Sequence, residues 1–325
     1  MLTAYLFDKR HGKEIEEWRE SIANLSKDKV LWLDLLDPSD AEENAVREAL
    51  GLDDADRLRL GDADAKAEIE QATTHIRVTS IAVATNESDR ARETAVIDCF
   101  IGENWVVSAH EREIEVIDDF RTLAEGGSEL GILDAPSFLA TLFEWVVTSY
   151  SRAFDDVESQ LEKFDLGVLG SPSGDTEGQI AKLVEVRSRV GRLRRALAPH
   201  REVFVALTHH ELDLISTEVS AKRFEKLTEQ LDVALSSARD AKDAVVNSFD
   251  VLILRTEHRT NEIVKILTLA SILLLPGALI AGVMGMNVNF SATTFVHSPL
   301  FWGVLAAIVS LAGATLSLAR ARRWI

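Results

Sequence analysis

Apolar and polar residues follow three rhythms along this chain. Up to about residue 110 the apolar runs are short: LTAYLF near the start, VLWLDLLD (Val30 to Asp37), HIRVTSIAVAT (His75 to Thr85), ETAVIDCFIG (Glu93 to Gly102) and NWVVSAH (Asn104 to His110). Runs of this length, bounded by turn residues, predict strands. Gly102-Glu103-Asn104 predicts a hairpin turn between the last two. Pro38-Ser39 opens a helix, with Ser39 and Glu42 forming a capping box. Residues 1–130 therefore read as a mixed α/β unit.

From Pro136 the spacing turns helical. Phe138, Leu142, Trp145, Val146 and Tyr150 share one face, and the helix is expected to run past Val157 and Leu161 to about Phe164. LGVLGSPSGDTEG then reads as a loop, and a second helix follows from about Gln179 to Pro199. Its arginines, Arg187, Arg189, Arg192, Arg194 and Arg195, read as a solvated basic face in preference to a phosphate site. These two helices make residues 131–218 a helical hairpin.

The third rhythm is continuous. From about Ser220 to Met284 no Gly or Pro occurs before Pro276, which predicts a helix of roughly 100 Å at about 1.5 Å per residue. A helix that long must pack against copies of itself or against flanking helices. Alternating steps of three and four back from Gly285 trace one seam. It holds Gly282, Ala278, Leu275, Ser271, Thr268, Val264, Asn261, Glu257, Leu254, Asp250, Asn247, Asp243 and Asp240. Its lower end is acidic or amide-bearing, and its upper part is small or apolar. One reading is a coiled-coil core with a few polar positions setting register. The other is a water-filled path, favoured by Asp240, Asp243 and Asp250, because buried unpaired carboxylates are costly.

From Ile266 to Ala319 there is no Asp, Glu, Lys or Arg, in a chain with 27 % charged residues. A charge at the centre of a membrane helix costs about 2.5–3.5 kcal/mol on insertion scales, which accounts for such a run. It divides into spans at 266–284 and 299–319, each long enough for a hydrocarbon core of about 30 Å. Pro276 and Gly277 interrupt the first span, a break tolerated where neighbouring helices satisfy the backbone. Arg255, Arg259 and Lys265 precede it, Arg320, Arg322 and Arg323 follow the second, and the loop between lacks Lys and Arg. The positive-inside rule then puts both termini in the cytoplasm and the protein in the inner or plasma membrane. A pair of buried soluble core helices is the bland alternative.

Lys and Arg number 35 against 53 Asp and Glu, a net charge of −18. Nucleic acid is therefore not an expected partner, while cations are. Cys99 is the only cysteine, so neither an intrachain disulfide nor a thiolate cluster is expected. The first residues lack a long apolar core and do not read as a signal peptide. No Walker motif, nucleophile triad or zinc-protease spacing occurs, so no enzyme is expected. His110 at a strand end reads as structural or exposed, with a metal ligand as the alternative. The neighbouring His209 and His210 lack a metal spacing.

Gly285-Met286-Asn287 directly after a membrane helix, with a second membrane helix and a basic tail behind, resembles the CorA family of magnesium channels. The preceding NEIVKILTLASILLLPGALIAGVM is similar to that family's pore helix, including Asn261, Lys265, Leu267, Thr268, Pro276 and Gly282. The resemblance implies a funnel-shaped homopentamer in the lipid bilayer. An α+β cytoplasmic domain would lead into a stalk helix (219–284), a filter loop (285–298), a second membrane helix (299–319) and a basic tail (320–325). It also implies passive Mg²⁺ influx, with Gly285, Met286 and Asn287 as filter. Asp250, Leu254, Asn261, Val264, Leu267, Thr268, Ser271, Leu275, Ala278 and Gly282 would line or gate the pore. Asp240, Asp243 and Asp250 would attract metal below an apolar throat that closes by dewetting.

Mg²⁺ dehydrates reluctantly, so a filter can hold the hydrated ion through oxygens that accept hydrogen bonds from its waters. Asn287 offers such an oxygen, Gly285 lets the backbone approach the axis, and Met286 anchors the loop by packing. Co²⁺, Ni²⁺ and Zn²⁺ fit similar geometry. A zinc or other transition-metal transporter of the same fold, with His297 involved, is the first alternative; a membrane-anchored binding protein is the second. Met286, where the zinc branch usually has Ile, favours magnesium. Two features depart from the family pattern. The external loop has no acid, and Lys226 stands where a magnesium-sensing acid is expected, with Asp232, Glu229 or Glu225 as substitutes.

Overall fold

The computed structural model describes residues 1–8, 12–26, 28–61, 65–84, 94–125, 134–170, 175–208, 218–285 and 299–321. It divides into two compact units, Met1–Gly167 with Ser173–Phe249, and Val168–Pro172 with Asp250–Ile325.

The first unit is built on a seven-stranded sheet: β1 (Leu2–Phe7), β2 (Gly12–Glu14), β3 (Val30–Leu36), β4 (Glu68–Gln71), β5 (Ile76–Val83), β6 (Thr94–Ile101) and β7 (Trp105–His110). The strand order is β2-β1-β3-β7-β6-β5-β4. Every pairing is antiparallel except β3 with β7, where Asp34 lies opposite Ser108. The inner strands are buried on both faces, which explains the nearly continuous apolar run of β3, while β5 also buries Arg77, Thr79 and Ser80.

One face carries Leu31, Leu33, Leu35, Phe100 and Val107, packed against Trp18 and Ile22 of α1 (Trp18–Ala23) and Val46 and Leu50 of α2 (Asp40–Leu50). The expected Ser39–Glu42 capping box is present, and Gly51 closes α2 at φ 68°, a left-handed value that suits glycine. The other face stacks Tyr5 on Trp32 at 5.3 Å between ring centroids. Phe120 of α3 (Glu115–Glu125) and Phe138 of α4 (Ala135–Gly170) meet Trp32 at 5.5 and 5.4 Å. The expected hairpin turn at Gly102 is closed by its amide, which donates to the Trp105 carbonyl at 3.0 Å. A Cβ at Gly102 would lie 2.3 Å from the Trp105 ring, so close approach requires glycine there.

Outside the sheet, α4, α5 (Thr176–Leu197), α6 (His200–Thr208) and the first part of α7 (Glu218–Gly285) form the helical layer. Arg223 donates to Thr141, Gln230 to Glu144 and Ser248 to Asp165. These pairs rise together along both helices, so α4 and α7 run parallel.

Several expectations change. Helix α4 continues through Leu166–Gly170, where a loop was expected; Val168 is buried there, and this packing outweighs the poor helix propensity of glycine. Helix α5 begins at Thr176, because Asp175 accepts from the Gly178 amide as N-cap. Its Arg187, Arg194 and Arg195 are exposed, as a solvated face requires, while Arg189 and Arg192 are half-buried. Strands β2 and β4 and helices α1, α3 and α6 add elements that the apolar pattern did not reveal.

The second unit contains the upper part of α7 and α8 (Pro299–Ala321). Pro276 lies inside α7 without ending it. A Cβ at Gly277 would sit 3.5 Å from Ile308, so the small residue lets the two helices approach. Among the described residues one helix, Val219–Gly282, is long and apolar enough to cross a membrane, and none of its apolar window is buried within this chain. Helix α8 has a shorter apolar stretch, Trp302–Thr315.

Candidate ion pathway on helix α7

Helix α7 has two contrasting faces. Phe224, Leu227, Leu231, Ala234, Ala238, Ala241, Val245 and Ser248 recur at alternating steps of three and four, and all are buried against the first unit. The seam read from the sequence lies on another face. Asp240, Asp243, Asn247, Asp250, Leu254, Glu257, Asn261, Val264, Thr268, Ser271, Leu275, Ala278 and Gly282 are exposed without exception, as is Leu267 beside it. Leu254, Val264, Leu267 and Leu275 are 64 %, 52 %, 66 % and 65 % exposed, unusual for large apolar residues unless another surface covers them. Thr268 and Ser271 turn their hydroxyls to their own helix, donating to the Val264 and Leu267 carbonyls at 2.7 and 2.9 Å. That leaves methyl and methylene groups as much of what these residues present outward.

Asp240 and Asp250 are separated by about 15 Å along one helix at about 1.5 Å per residue, too far to share an ion. Among the described residues no group of three or more His, Cys, Asp or Glu could hold a metal. Asp240 and Asp243, three residues apart, are the nearest carboxylates along the seam and make a pair rather than a group of three. Gly285 is the last residue of α7. Met286, Asn287, His209, His210, His297, Arg322 and Arg323 lie outside the described residues.

Lys226, at the position expected for a sensor acid, holds its ammonium 3.8 Å from Glu144 of α4. Asp232, a suggested substitute, accepts from Arg201 of α6 at 3.1 Å, and Glu225 and Glu229 are exposed. Lys226 and Asp232 are thus each paired within one chain.

Deep in the sheet unit are polar groups that apolar periodicity did not expose. Asp98 of β6 is fully buried and accepts from Arg77 and from the Arg59 amide. Asp34 of β3, also fully buried, accepts from Ser108 and from Arg121 of α3, and Trp32 donates to Ser108 at 2.9 Å. Burial opposes ionisation of Asp34, but hydrogen bonds from His110 and Ser108 and the charge of Arg121 win, holding its carboxyl below the usual range. His110 is buried, so its structural reading is the one the geometry supports. His200 of α6 is fully buried and burial takes its pKa down to about 4. Their one visible sign in the sequence is an acid set within an apolar run, as in VLWLDLL, which demands a partner.

Comparison with known proteins decides the family. The profile described as "CorA-like Mg2+ transporter protein" matches residues 27–320. The chain belongs to the CorA-like Mg²⁺ transporter family. The cobalt/magnesium transport protein CorA of Methanocaldococcus jannaschii is 22 % identical over 301 residues, covering 91 % of this chain and 92 % of that relative. The zinc transport protein ZntB of Pectobacterium atrosepticum is 22 % identical over 270 residues, covering 82 % and 79 %. The complete structure of the CorA magnesium transporter from Methanocaldococcus jannaschii superposes with a TM-score of 0.78 at 20 % identity, covering 100 % of this chain and 99 % of that one. The α+β fold with its long helix is thus the CorA fold, and a member of this family is a divalent-cation transporter rather than an enzyme.

Proposed function

We propose that five copies of this chain surround one axis with the exposed seam of α7 facing it, forming a passive channel that admits hydrated Mg²⁺. The observation that carries this reading is the seam itself. From Asp240 to Asp250 the seam is exposed while a different face of the same helix is buried, and the same spacing carries it on to Gly282 through a stretch of α7 in which, beyond Leu252, no described residue is buried. In such an assembly Asp240, Asp243 and Asp250 gather cations at the cytoplasmic end. Leu254, Val264, Leu267 and Leu275 form an apolar constriction that closes by dewetting, and Asn261, Thr268, Ser271, Ala278 and Gly282 complete the wall. Gly285, Met286 and Asn287 form the outer filter, with the Asn287 amide oxygen accepting from the ion's water shell. Both α7 and α8 cross the inner membrane, with both termini cytoplasmic.

The test is ion uptake by proteoliposomes containing the full chain, wild type and Asn287→Ala, with Mg²⁺, Co²⁺, Ni²⁺ and Zn²⁺ in parallel. Uptake of Mg²⁺ that vanishes in the variant supports the filter assignment. A wild type that passes no Mg²⁺ overturns the reading. Zn²⁺ flux alone would favour the second reading, a zinc or other transition-metal transporter, to which the similarity to ZntB lends support.

A further inference from the structure

Two histidines lie on one face of the sheet and meet opposite partners. Register places Ser80, Ile97 and His110 in one row across β5, β6 and β7, and Ser80 is the residue that His200 touches. His200 Nε2 is 3.2 Å from the Ile81 amide, which can only donate, and 2.9 Å from the Ser80 hydroxyl. Its Nδ1 is 3.0 Å from the Leu197 carbonyl, which can only accept. His200 is therefore a neutral ring protonated at Nδ1. His110 has acceptors on both sides. Its Nδ1 is 2.6 Å from the Arg112 carbonyl, and its Nε2 is 3.3 Å from the Asp34 carboxylate. Asp34 already accepts from Ser108 and Arg121, so its carboxylate is ionised. Satisfying both acceptors takes a proton on each nitrogen of His110.

We propose that His110 is a resident imidazolium whose extra proton latches the turn between β7 and α3 to Asp34, and that the cytoplasmic unit loosens at this turn when alkaline pH removes that proton. The groups around it are Asp34 from β3, Arg121 and its partner Asp118 from α3, the Arg112 carbonyl in the turn, Tyr5 of β1 beside Arg121, and Cys99 of β6 near Asp34. The charge count makes His110 the labile member. Asp34 faces two cations, so loss of the His110 proton to water leaves Asp34 and Arg121 as a balanced pair. A neutral His110 then turns a lone pair towards either the Arg112 carbonyl or the Asp34 carboxylate. One contact breaks, and the turn at 111–114 is released from one anchor.

The sign follows from the partners. Burial pulls the His110 value down, but the hydrogen bond and charge of Asp34 outweigh it and raise it above the ordinary histidine value of 6.5. The latch is therefore fully made below pH 6.5 and is lost as pH climbs through the raised folded value. It does not depend on how cations cross the membrane.

The test is amide hydrogen exchange of the full chain in a membrane mimetic from pH 6 to 9, corrected for intrinsic base catalysis. Residues 111–125 are expected to show a severalfold rise in corrected exchange, while strand β6 stays level. His110→Gln, which cannot titrate, should give a flat profile. Arg121→Gln removes the cation that lowers the His110 value, so the midpoint should move to higher pH, which loss of a purely structural contact would not do. A flat wild-type profile, the same rise in His110→Gln, or an unmoved midpoint in Arg121→Gln would each overturn the latch.

Discussion

Two faces of α7 have the same helical spacing and differ in what meets them. On one, Leu231, Ala238 and Val245 are sealed against the helices of the same chain, and Ser248 donates to Asp165 of α4 at 3.1 Å. On the other, Asp240, Asp250 and Leu254 have no such cover. Residue type does not separate the faces, since each carries apolar and polar members. The difference lies in satisfaction. The buried face pairs its polar group inside the chain, whereas the open face leaves both carboxylates and leucines exposed. The first face holds the fold of one chain, and the second takes no part in its core.

Substitutions can break or sharpen this contrast. Leu231→Ala, at a fully buried position, should destabilise the cytoplasmic unit by about 2–5 kcal/mol, read as a lower thermal midpoint of the full chain. Acid should act on the buried side as well. His200 is neutral with a folded pKa of about 4, so stability present above pH 6.5 is lost as pH falls towards that value. The loss should reach about 3 kcal/mol at one pKa unit per 1.36 kcal/mol, and be smaller in His200→Gln by the same melting experiment. Ser248→Ala removes the Asp165 donor that the described residues supply, and among them the other Asp165 oxygen already lacks a partner. A cost of about 1–3 kcal/mol is expected, measured by denaturant midpoint. Asp250→Asn should change stability by less than about 0.5 kcal/mol, because Asp250 is exposed. If the open face is the ion path, that variant should nonetheless slow Mg²⁺ uptake in proteoliposomes. A large loss of stability there would erase the distinction between the faces.

The same distinction explains what could be read from the chain beforehand. Strand 30–36 announces itself because burial on both faces makes it almost wholly apolar, and 76–83 because its apolar residues outnumber Arg77, Thr79 and Ser80. The edge strands GKE and EIEQ do not, since an edge exposes charge and borrows its order from β1 and β5. The end of α4 was hidden because LGVLG has the local character of a loop, and only the packing of Val168 makes it helical. The exposed positions of α7 from Asp240 to Gly282 were legible as one line, since steps of three and four depend on nothing beyond the helix. His200 was not, because its partners lie about 120 residues away at Ser80 and Ile81. The identity of the filter residues rests on resemblance, because an amide after a helix has no periodicity to betray it.

The single parallel pair, β3 with β7, carries a consequence for folding. The strands β5, β6 and β7 form a local meander, and β1 pairs with β3 over a short separation. These two blocks can form early and independently, and the sheet is complete only when they dock along β3 and β7. At that junction Asp34 must meet Ser108, with Trp32 donating to the same hydroxyl. A slip of one residue would swing Asp34 to the apolar face of Leu33 and Leu35 and leave a buried carboxylate unpaired. The polar cluster therefore proofreads the assembly. It makes the misaligned sheet so costly that only the correct splice persists.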